Sequence, residues 1–153
     1  RRRYAMEVAV AVLGKTLNSR LFSKFVDELA ISRYVGAEYD SVEGAFTGFV
    51  AASAKNIPVA RRALQDLLAE LVQRGINRDE LEIAKRFLVG CDIVQNEQNQ
   101  KTAEKYALAE LFGKAEDAEK YCTRIESVTV DEVNEAARDF INANKLLILI
   151  TKG

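Results

Sequence analysis

Apolar residues recur every three to four positions over most of the chain, a spacing typical of amphipathic helices. Residues 4–13, YAMEVAVAVL, are apolar on more than one side, so they predict a buried helix that ends near Gly14. Asn18 or Ser19 can cap the next helix, whose apolar face is formed by Leu21, Phe22, Phe25, Val26 and Leu29. The chain is therefore predicted to begin with two helices.

The period changes to two in residues 32–40 and again in residues 45–53, with the turn-rich sequence DSVEG between them. Such alternation is typical of half-buried strands, and we predict an antiparallel hairpin. Gly36 and Gly48 lie inside these strand patterns, where a missing side chain often permits a bulge or a close backbone approach. A third strand is predicted at residues 146–150, LLILI, which are apolar on both faces.

A long helix is predicted after the hairpin. Asn56 and Pro58 mark its start, Gly75 marks its end, and one stripe of leucines lies between them: Leu64, Leu67, Leu68 and Leu71. Two shorter helices are predicted at about residues 102–112 and 116–126.

Two pairs of residues have the spacing of a capping box at the start of a helix. In a capping box, the side chain of each residue accepts a hydrogen bond from the backbone N–H of the other. Asn77 and Glu80 form one pair, and Thr129 and Glu132 form the other. Each pair predicts a helix start, and the second helix is expected to run to about Asn142.

These elements predict the α+β class, with helices packed on an antiparallel or mixed sheet in a single domain that covers residues 1–153. Three strands are few for so much helix, so we expect that a first strand precedes Arg1 and that the chain is a fragment of a larger protein. A sheet that lacks a strand has an exposed edge, which predicts self-association through that edge.

The composition argues against a nucleic-acid partner and against a membrane span. Hydrophobic residues make up 48% and charged residues 29% of the chain, as in ordinary soluble globular proteins. The net charge of −1 argues against a nucleic-acid partner. No apolar run is long enough to span a bilayer, so no membrane span is predicted.

The sequence contains no histidine. This excludes histidine-based zinc ligation and catalysis by serine or cysteine with an imidazole base. The two cysteines, Cys91 and Cys122, are too far apart for a C-x-x-C motif and are predicted to be small buried apolar residues. We therefore predict no catalytic residue and no metal site in this chain.

Four stretches occur in an order and spacing that match one family: AMEVAVAVLGKTLNSRLFSKF, YDSVEGAFTGFVAAS, GINRDELEIAKRFLVG and IESVTVDEVNEAARDFI. Together with the predicted closing strand, these stretches cover nearly the whole chain. The chain resembles the non-catalytic, C-terminal type of domain of the insulinase-like zinc metallopeptidases, which include mitochondrial processing peptidase and pitrilysin. The resemblance implies helices over an antiparallel sheet, usually with one more strand. It also implies no cofactor in this chain and zinc in the partner domain.

In active members of that family this domain contributes an Arg and, seven positions later, a Tyr that bind the substrate. Laid over this sequence, those positions hold Val26 and Arg33, and Tyr34 follows directly. Val26 cannot donate a hydrogen bond, so the resemblance implies an altered clamp with Arg33 and Tyr34 as candidate substrate-binding residues. A strand points neighbouring side chains to opposite faces, which makes these two residues alternatives. Otherwise, Val26 is a core residue and Arg33 and Tyr34 are edge residues.

The resemblance leaves two functions open. In the first, the chain is a non-catalytic domain of a zinc endopeptidase that closes the peptide-binding chamber opposite a zinc-bearing domain or subunit. In the second, the domain is inactive and serves assembly alone, as in the core subunits of the cytochrome bc complex. An unrelated α+β binding domain is a third possibility. A soluble bacterial or organellar protein is expected, with a peptide as the substrate.

Overall fold

The computed structural model describes residues 2–40, 44–113 and 115–141. The predicted third strand at residues 146–150 and residues 41–43 of the predicted turn lie outside this part of the chain. Within it, two strands and eight α-helices follow one another: α1 (Arg2–Val10), α2 (Arg20–Phe22), β1 (Val35–Asp40), β2 (Ala45–Val50), α3 (Ile57–Arg74), α4 (Arg78–Asn96), α5 (Asn99–Phe112), α6 (Glu116–Glu119), α7 (Tyr121–Glu126) and α8 (Val130–Phe140).

Two of these helices continue as π-helices. The first segment, Ala11–Lys15, extends α1, and the second, Ser23–Glu28, extends α2. A short 3₁₀ helix, Ala54–Asn56, precedes α3. π-Helical turns are rare in proteins, and those that occur are often found at functional sites. Their position beside the hairpin therefore marks that region as a candidate site.

The first helix forms the centre of the core, as its two-sided apolar pattern predicted. Met6, Val8 and Val10 have no exposed surface, and Leu13 in the π-helical extension is equally buried. Around α1 lie α8, β1 and α4. This helix is enclosed because it offers apolar side chains in nearly every direction.

The hairpin is antiparallel, as predicted, with Val35 opposite Val50 and Asp40 opposite Ala45. Both predicted strands are too long, because regular pairing begins at Val35 and ends at Val50. Before β1, the hydroxyl of Ser32 donates to the carbonyl oxygen of Tyr34 at 3.1 Å and accepts from the backbone N–H of Tyr34 at 3.2 Å. Such local bonds of Ser compete with strand pairing and form a turn instead.

The two faces of the hairpin have different surroundings. Alternation places one set of side chains against the helices, namely Val35, Ala37, Tyr39, Phe46 and Val50. The other set points away from the core. We define the outer face of the hairpin by these residues: Tyr34, Gly36, Glu38, Asp40, Ala45, Thr47, Phe49 and Ala51.

Both predicted capping boxes are confirmed. The Asn77 side-chain oxygen accepts from the Glu80 backbone N–H at 2.9 Å, and the Glu80 carboxylate accepts from the Asn77 backbone N–H at 2.9 Å. Thr129 and Glu132 make the equivalent pair of bonds at 3.3 and 2.9 Å. Ser19 rather than Asn18 caps α2, because its hydroxyl accepts from the Phe22 N–H at 3.4 Å.

Two predictions about the second half of the chain are wrong in detail. The single helix expected at residues 116–126 is divided at Lys120 into α6 and α7, although neither Gly nor Pro marks the break. Cys91 and Cys122 are only partly buried, and the Cys122 thiol donates to the Asp92 carboxylate at 3.4 Å. Cys122 therefore makes a polar contact, because its helix, α7, packs against the face of α4 that carries Asp92.

The described residues confirm the α+β class, with helices packed on one side of an antiparallel sheet. The extent of the domain, residues 1–153, stays a prediction.

Candidate functional site

The candidate site lies where the second helix runs into the hairpin. We call residues 19–34 the corner. It begins at the Ser19 cap, passes through α2 and its π-helical extension, and ends at Tyr34 beside β1. The side chains that the sequence singled out, Val26, Arg33 and Tyr34, all belong to it.

A salt bridge fixes the first turn of the corner. The Arg20 Nε atom lies 2.7 Å from Glu80 Oε1, and Arg20 Nη2 donates to Glu80 Oε2 at 2.9 Å. The same Nη2 atom donates to the Gly75 carbonyl oxygen at 2.7 Å. Arg20 Nη1 is buried without a partner in the described part of the chain. The planar guanidinium therefore joins α2 to the turn between α3 and α4, a geometry that Lys cannot reproduce.

Both members of this pair are held in the charged form. The hydrogen bond to Glu80 raises the pKa of the Arg20 guanidinium, although burial opposes this shift. Burial alone would raise the pKa of the Glu80 carboxyl, but hydrogen bonds from Arg20 and from the Asn77 backbone, with the Arg20 charge, together lower it below its ordinary value.

The turn that receives Arg20 depends on Gly75. Its φ of 70° lies in the left-handed region, and a Cβ atom added there would lie 2.4 Å from Asn134 Oδ1. That oxygen accepts from the Ile76 backbone N–H at 2.8 Å, so α8 is bound to the same turn. Arg20 and Asn134 thus fix the turn from two sides.

The middle of the corner has irregular backbone geometry. Phe25 is fully buried, and its carbonyl oxygen accepts from the N–H groups of Ile31 and Ser32 at 3.1 and 3.3 Å. Between them, Ala30 has a φ of 52°, the one positive φ of a non-glycine residue in the described chain. An L-residue in this conformation is strained, and such residues cluster at functional sites.

Val26 occupies the π-helical segment and is half-buried. It is absent from the side chains that pack against the core, whereas its neighbour Phe25 lies in the centre of that core. Val26 is thus less buried than Phe25, and its assignment to the core stays a prediction. An uncharged side chain occupies the position where the family resemblance places an arginine.

Arg33 and Tyr34 end the corner and are both exposed. Arg33 makes no hydrogen bond or ion pair with any described residue. Tyr34 is 69% exposed, and its carbonyl oxygen accepts from the Ala51 N–H at 2.9 Å. Because the strand begins only at Val35, the alternation of a strand does not apply to Arg33. The assignment of Arg33 and Tyr34 to substrate binding stays a prediction.

Tyr34 is part of an aromatic pair that the sequence did not reveal. Its ring centroid lies 5.2 Å from that of Phe49, with the planes inclined at 36°. The Phe49 ring covers Gly36, where an added Cβ atom would lie 2.4 Å from Phe49 Cζ. A side chain, rather than a bulge or a backbone segment, thus occupies the space over Gly36, and the glycine was the available signal for this pair.

A second polar cluster connects α4, α5 and α7. Lys105 Nζ lies 2.6 Å from Asp92 Oδ1, and Asn96 Nδ2 donates to Asp92 Oδ2 at 3.0 Å. Nearby, the Tyr121 hydroxyl donates to Glu7 at 2.7 Å. Burial raises the pKa of Tyr121, and the Glu7 charge acts in the same direction. Burial and the hydrogen bond to Asp92 raise the pKa of the Cys122 thiol. Both groups are held protonated, which fits a packing role.

The described residues offer no ligand set for zinc, since no group of three or more histidine, cysteine, aspartate or glutamate residues among them is placed to hold a metal ion. None of the described helices has the length and apolar character needed to cross a membrane.

Comparison with known proteins gives the family. The model of the peptidase M16 inactive domain matches residues 1–88. An uncharacterized zinc protease of Mycobacterium tuberculosis is 31% identical over 143 residues, which are 92% of this chain and 33% of that protein. A non-peptidase homolog of Helicobacter pylori is 29% identical over 60% of this chain and 22% of its own length. The chain thus spans about a third or less of these bacterial relatives.

A solved structure shows the same fold. It is the inactive peptidase domain of a proposed zinc protease from Bordetella parapertussis, with a TM-score of 0.80 at 18% identity over 94% of this chain and 80% of that one. The family match and the similarity to zinc proteases agree with the resemblance of the four sequence stretches. The chain therefore belongs to the peptidase M16 family, as an inactive domain of that family.

Proposed function

We propose that this domain closes a peptide-binding chamber opposite a zinc-bearing domain of a larger endopeptidase, and that Arg33 and Tyr34 bind the peptide there. The observation that carries the proposal is the outer face of the hairpin. Helices cover the opposite face, whereas on the outer face the exposed Tyr34 ring stacks on the half-buried Phe49 ring. The residue before Tyr34, Arg33, is exposed and has no described partner. A chamber wall requires such a surface, which the described helices leave uncovered, with hydrogen-bond donors at its rim.

The two side chains suit different parts of a peptide. The Tyr34 hydroxyl is a donor that can reach a peptide carbonyl oxygen while its ring covers an apolar side chain. The Arg33 guanidinium offers several donors in one plane, which suits a carboxylate or a pair of carbonyl oxygens. Because Val26 supplies no donor, Arg33 is the cation of the corner that lies nearest to Tyr34 in sequence.

Closure by a second domain would contribute to cleavage without catalytic groups in this chain. It would hold the peptide in one orientation and exclude bulk water from the chamber. The zinc ion and the residues that activate water would belong to the partner domain. In this division of roles the present domain determines which peptides fit and how they lie.

The alternative is an inactive domain with an assembly role. Two observations favour it: Val26 stands at the position of the family arginine, and the Helicobacter pylori relative is named a non-peptidase homolog. In that case Arg33 and Tyr34 would be surface residues without a ligand.

Self-association is a further part of the proposal. In an antiparallel pair of strands, hydrogen-bonded and non-hydrogen-bonded residue pairs alternate. Tyr34 and Ala51 form a hydrogen-bonded pair, so the backbone N–H and C=O groups of Val35 and Tyr39 point away from β2. Free backbone groups along a strand are a template for another strand. We expect concentration-dependent dimers of the isolated chain in light scattering, and a monomer at all concentrations would contradict this expectation.

The function is tested by producing this chain together with the zinc-bearing part of its parent protein and following cleavage of a quenched fluorescent peptide. We expect activity only in the mixture, with a reduction of about tenfold in kcat/KM for Arg33→Ala and for Tyr34→Phe. Arg62→Ala is the matched control, because Arg62 is exposed on α3 and has no ion partner among the described residues. Activity that is unaffected by the corner variants would favour the assembly role.

A further inference from the structure

The outer face carries a second feature that concerns which peptides it binds. Gly36 pairs with Phe49, and Glu38 pairs with Thr47, so the aromatic pair and the Glu38 carboxylate lie on the same face. Gly36 and Glu38 are two residues apart on β1, a separation of about 7 Å along a strand. An apolar surface and a negative charge thus stand at a fixed distance.

The aromatic part of this face lies outside the core formed by the described residues. Phe49 is missing from the side chains that pack against the buried cluster, although it is half-buried by its contacts with Tyr34 and Gly36. Tyr34 is largely exposed. Two rings that stack on the outer face of a sheet, away from the core, offer a site for another apolar group.

The charged part of this face is the Glu38 carboxylate. Glu38 is exposed and makes no hydrogen bond or ion pair with a described residue. Asp40 lies on the same face but already takes part in another interaction, so Glu38 alone is the candidate partner of a ligand. No described lysine or arginine belongs to that face. Lys15 lines the same open groove of about 470 Å³ as Glu38 and Phe49, but forms no salt bridge with Glu38.

These observations point to one class of occupant. In an extended peptide, side chains two positions apart lie on the same side and about 7 Å from each other. We propose that the outer face binds peptides in which an aromatic or large apolar residue and a lysine or arginine stand two positions apart. The apolar residue contacts Tyr34 and Phe49, and the basic residue pairs with Glu38. This preference rests on the proposed function, because it assumes that the outer face meets peptide.

The test is a binding measurement that needs no catalytic activity. Short alanine-based peptides labelled with a fluorophore carry Phe-Ala-Arg, Arg-Ala-Phe, Phe-Ala-Glu or Ala-Ala-Arg, and anisotropy is followed at low salt with the full 153-residue chain. We expect the peptides with both residues to bind about two- to fivefold tighter than Phe-Ala-Glu, the range of an exposed ion pair.

Charge reversal gives the decisive comparison. Glu38→Lys is expected to invert the preference, so that Phe-Ala-Glu binds tighter than Phe-Ala-Arg. Glu119→Lys on α6 makes the same change of net charge at an exposed site and is expected to leave the preference unchanged. Phe49→Leu is expected to weaken the binding of all peptides with an aromatic residue, and its circular dichroism spectrum verifies that it folds.

Several results would overturn the proposal: no binding of any peptide, an unchanged preference in Glu38→Lys, or an equal change in Glu119→Lys. Loss of peptide binding when the zinc-bearing part is added would show that this part covers the outer face itself. The outcome is separate from that of the cleavage experiment. If Arg33 and Tyr34 variants do not alter cleavage but Glu38→Lys inverts peptide preference, the clamp is wrong and the outer-face site stands.

Discussion

Arg20 and Glu80 are 60 positions apart in sequence, yet the guanidinium of one binds both carboxylate oxygens of the other at 2.7 and 2.9 Å. The same Glu80 oxygen that receives Arg20 Nη2 accepts from the Asn77 backbone N–H. Glu80 therefore caps α4 and anchors α2 at once. This salt bridge holds the first turn of the corner that carries Arg33 and Tyr34, so the position of the corner depends on the pair.

Loss of the guanidinium should destabilise the chain. We expect Arg20→Ala to lower the free energy of unfolding by about 2 kcal/mol, because it leaves a partly buried carboxylate without its partner. Arg20→Lys should recover less than half of this loss, since an ammonium cannot make the paired contact. Urea unfolding followed by circular dichroism measures both. Arg61→Ala, at an exposed position on α3, is the control and should change stability little.

The lowered pKa of Glu80 makes stability depend on pH. Its folded-state pKa lies below its unfolded value, so its contribution is complete above the unfolded pKa of about 4.3 and is lost as the pH falls through the folded pKa. Glu80→Gln lacks this titration. We expect the difference in unfolding free energy between the wild type and Glu80→Gln to be constant near neutral pH and to shrink below about pH 5. A difference independent of pH would contradict the assignment.

The positive φ of Ala30 predicts a gain from glycine. Ala30→Gly should stabilise the chain by about 1 kcal/mol, because glycine adopts the left-handed conformation without strain. Ala69→Gly is the matched control: Ala69 is exposed within α3, where glycine should cost about 1 kcal/mol. Opposite signs for the two variants in thermal unfolding are the expected result, and equal losses would refute the strain at Ala30.

The turn at Gly75 should not tolerate a side chain. Gly75→Ala places a Cβ atom 2.4 Å from Asn134 Oδ1 at a φ of 70°, and we expect a loss of about 2 kcal/mol or more in the free energy of unfolding. Gly90→Ala, in α4 with open space around it, should instead be neutral or stabilising by up to about 1 kcal/mol. If the Gly75 variant is equally neutral, the left-handed turn is wrong.

Local sequence signals located the helix starts because the atoms that form them are neighbours in the chain. The Asn77–Glu80 and Thr129–Glu132 boxes each close within three residues, so no other part of the fold is needed to form them. Similarly, α1 has apolar side chains on more than one side, so its burial could be predicted without knowing which elements surround it. Strand ends were less well predicted, since Ser32 bonds locally instead of pairing.

Some features of the candidate site could likewise be predicted from the sequence, whereas others could not. The family resemblance directed attention to Val26, Arg33 and Tyr34 through their spacing after the SRLF sequence. The ring of Phe49 over Gly36 and the position of the Glu38 carboxylate depend on the register of β1 against β2. The alternating pattern alone leaves this register open by two residues in either direction.

By itself, the sequence determined the α+β class, the caps and the central apolar helix, because these follow from contacts within one turn and from the direction of apolar side chains. Only the tertiary structure decided the π-helical extensions, the strained Ala30 and the pairing of Arg20 with Glu80. Those features depend on distant segments meeting in one place, where packing and charge override the preferences of each segment alone.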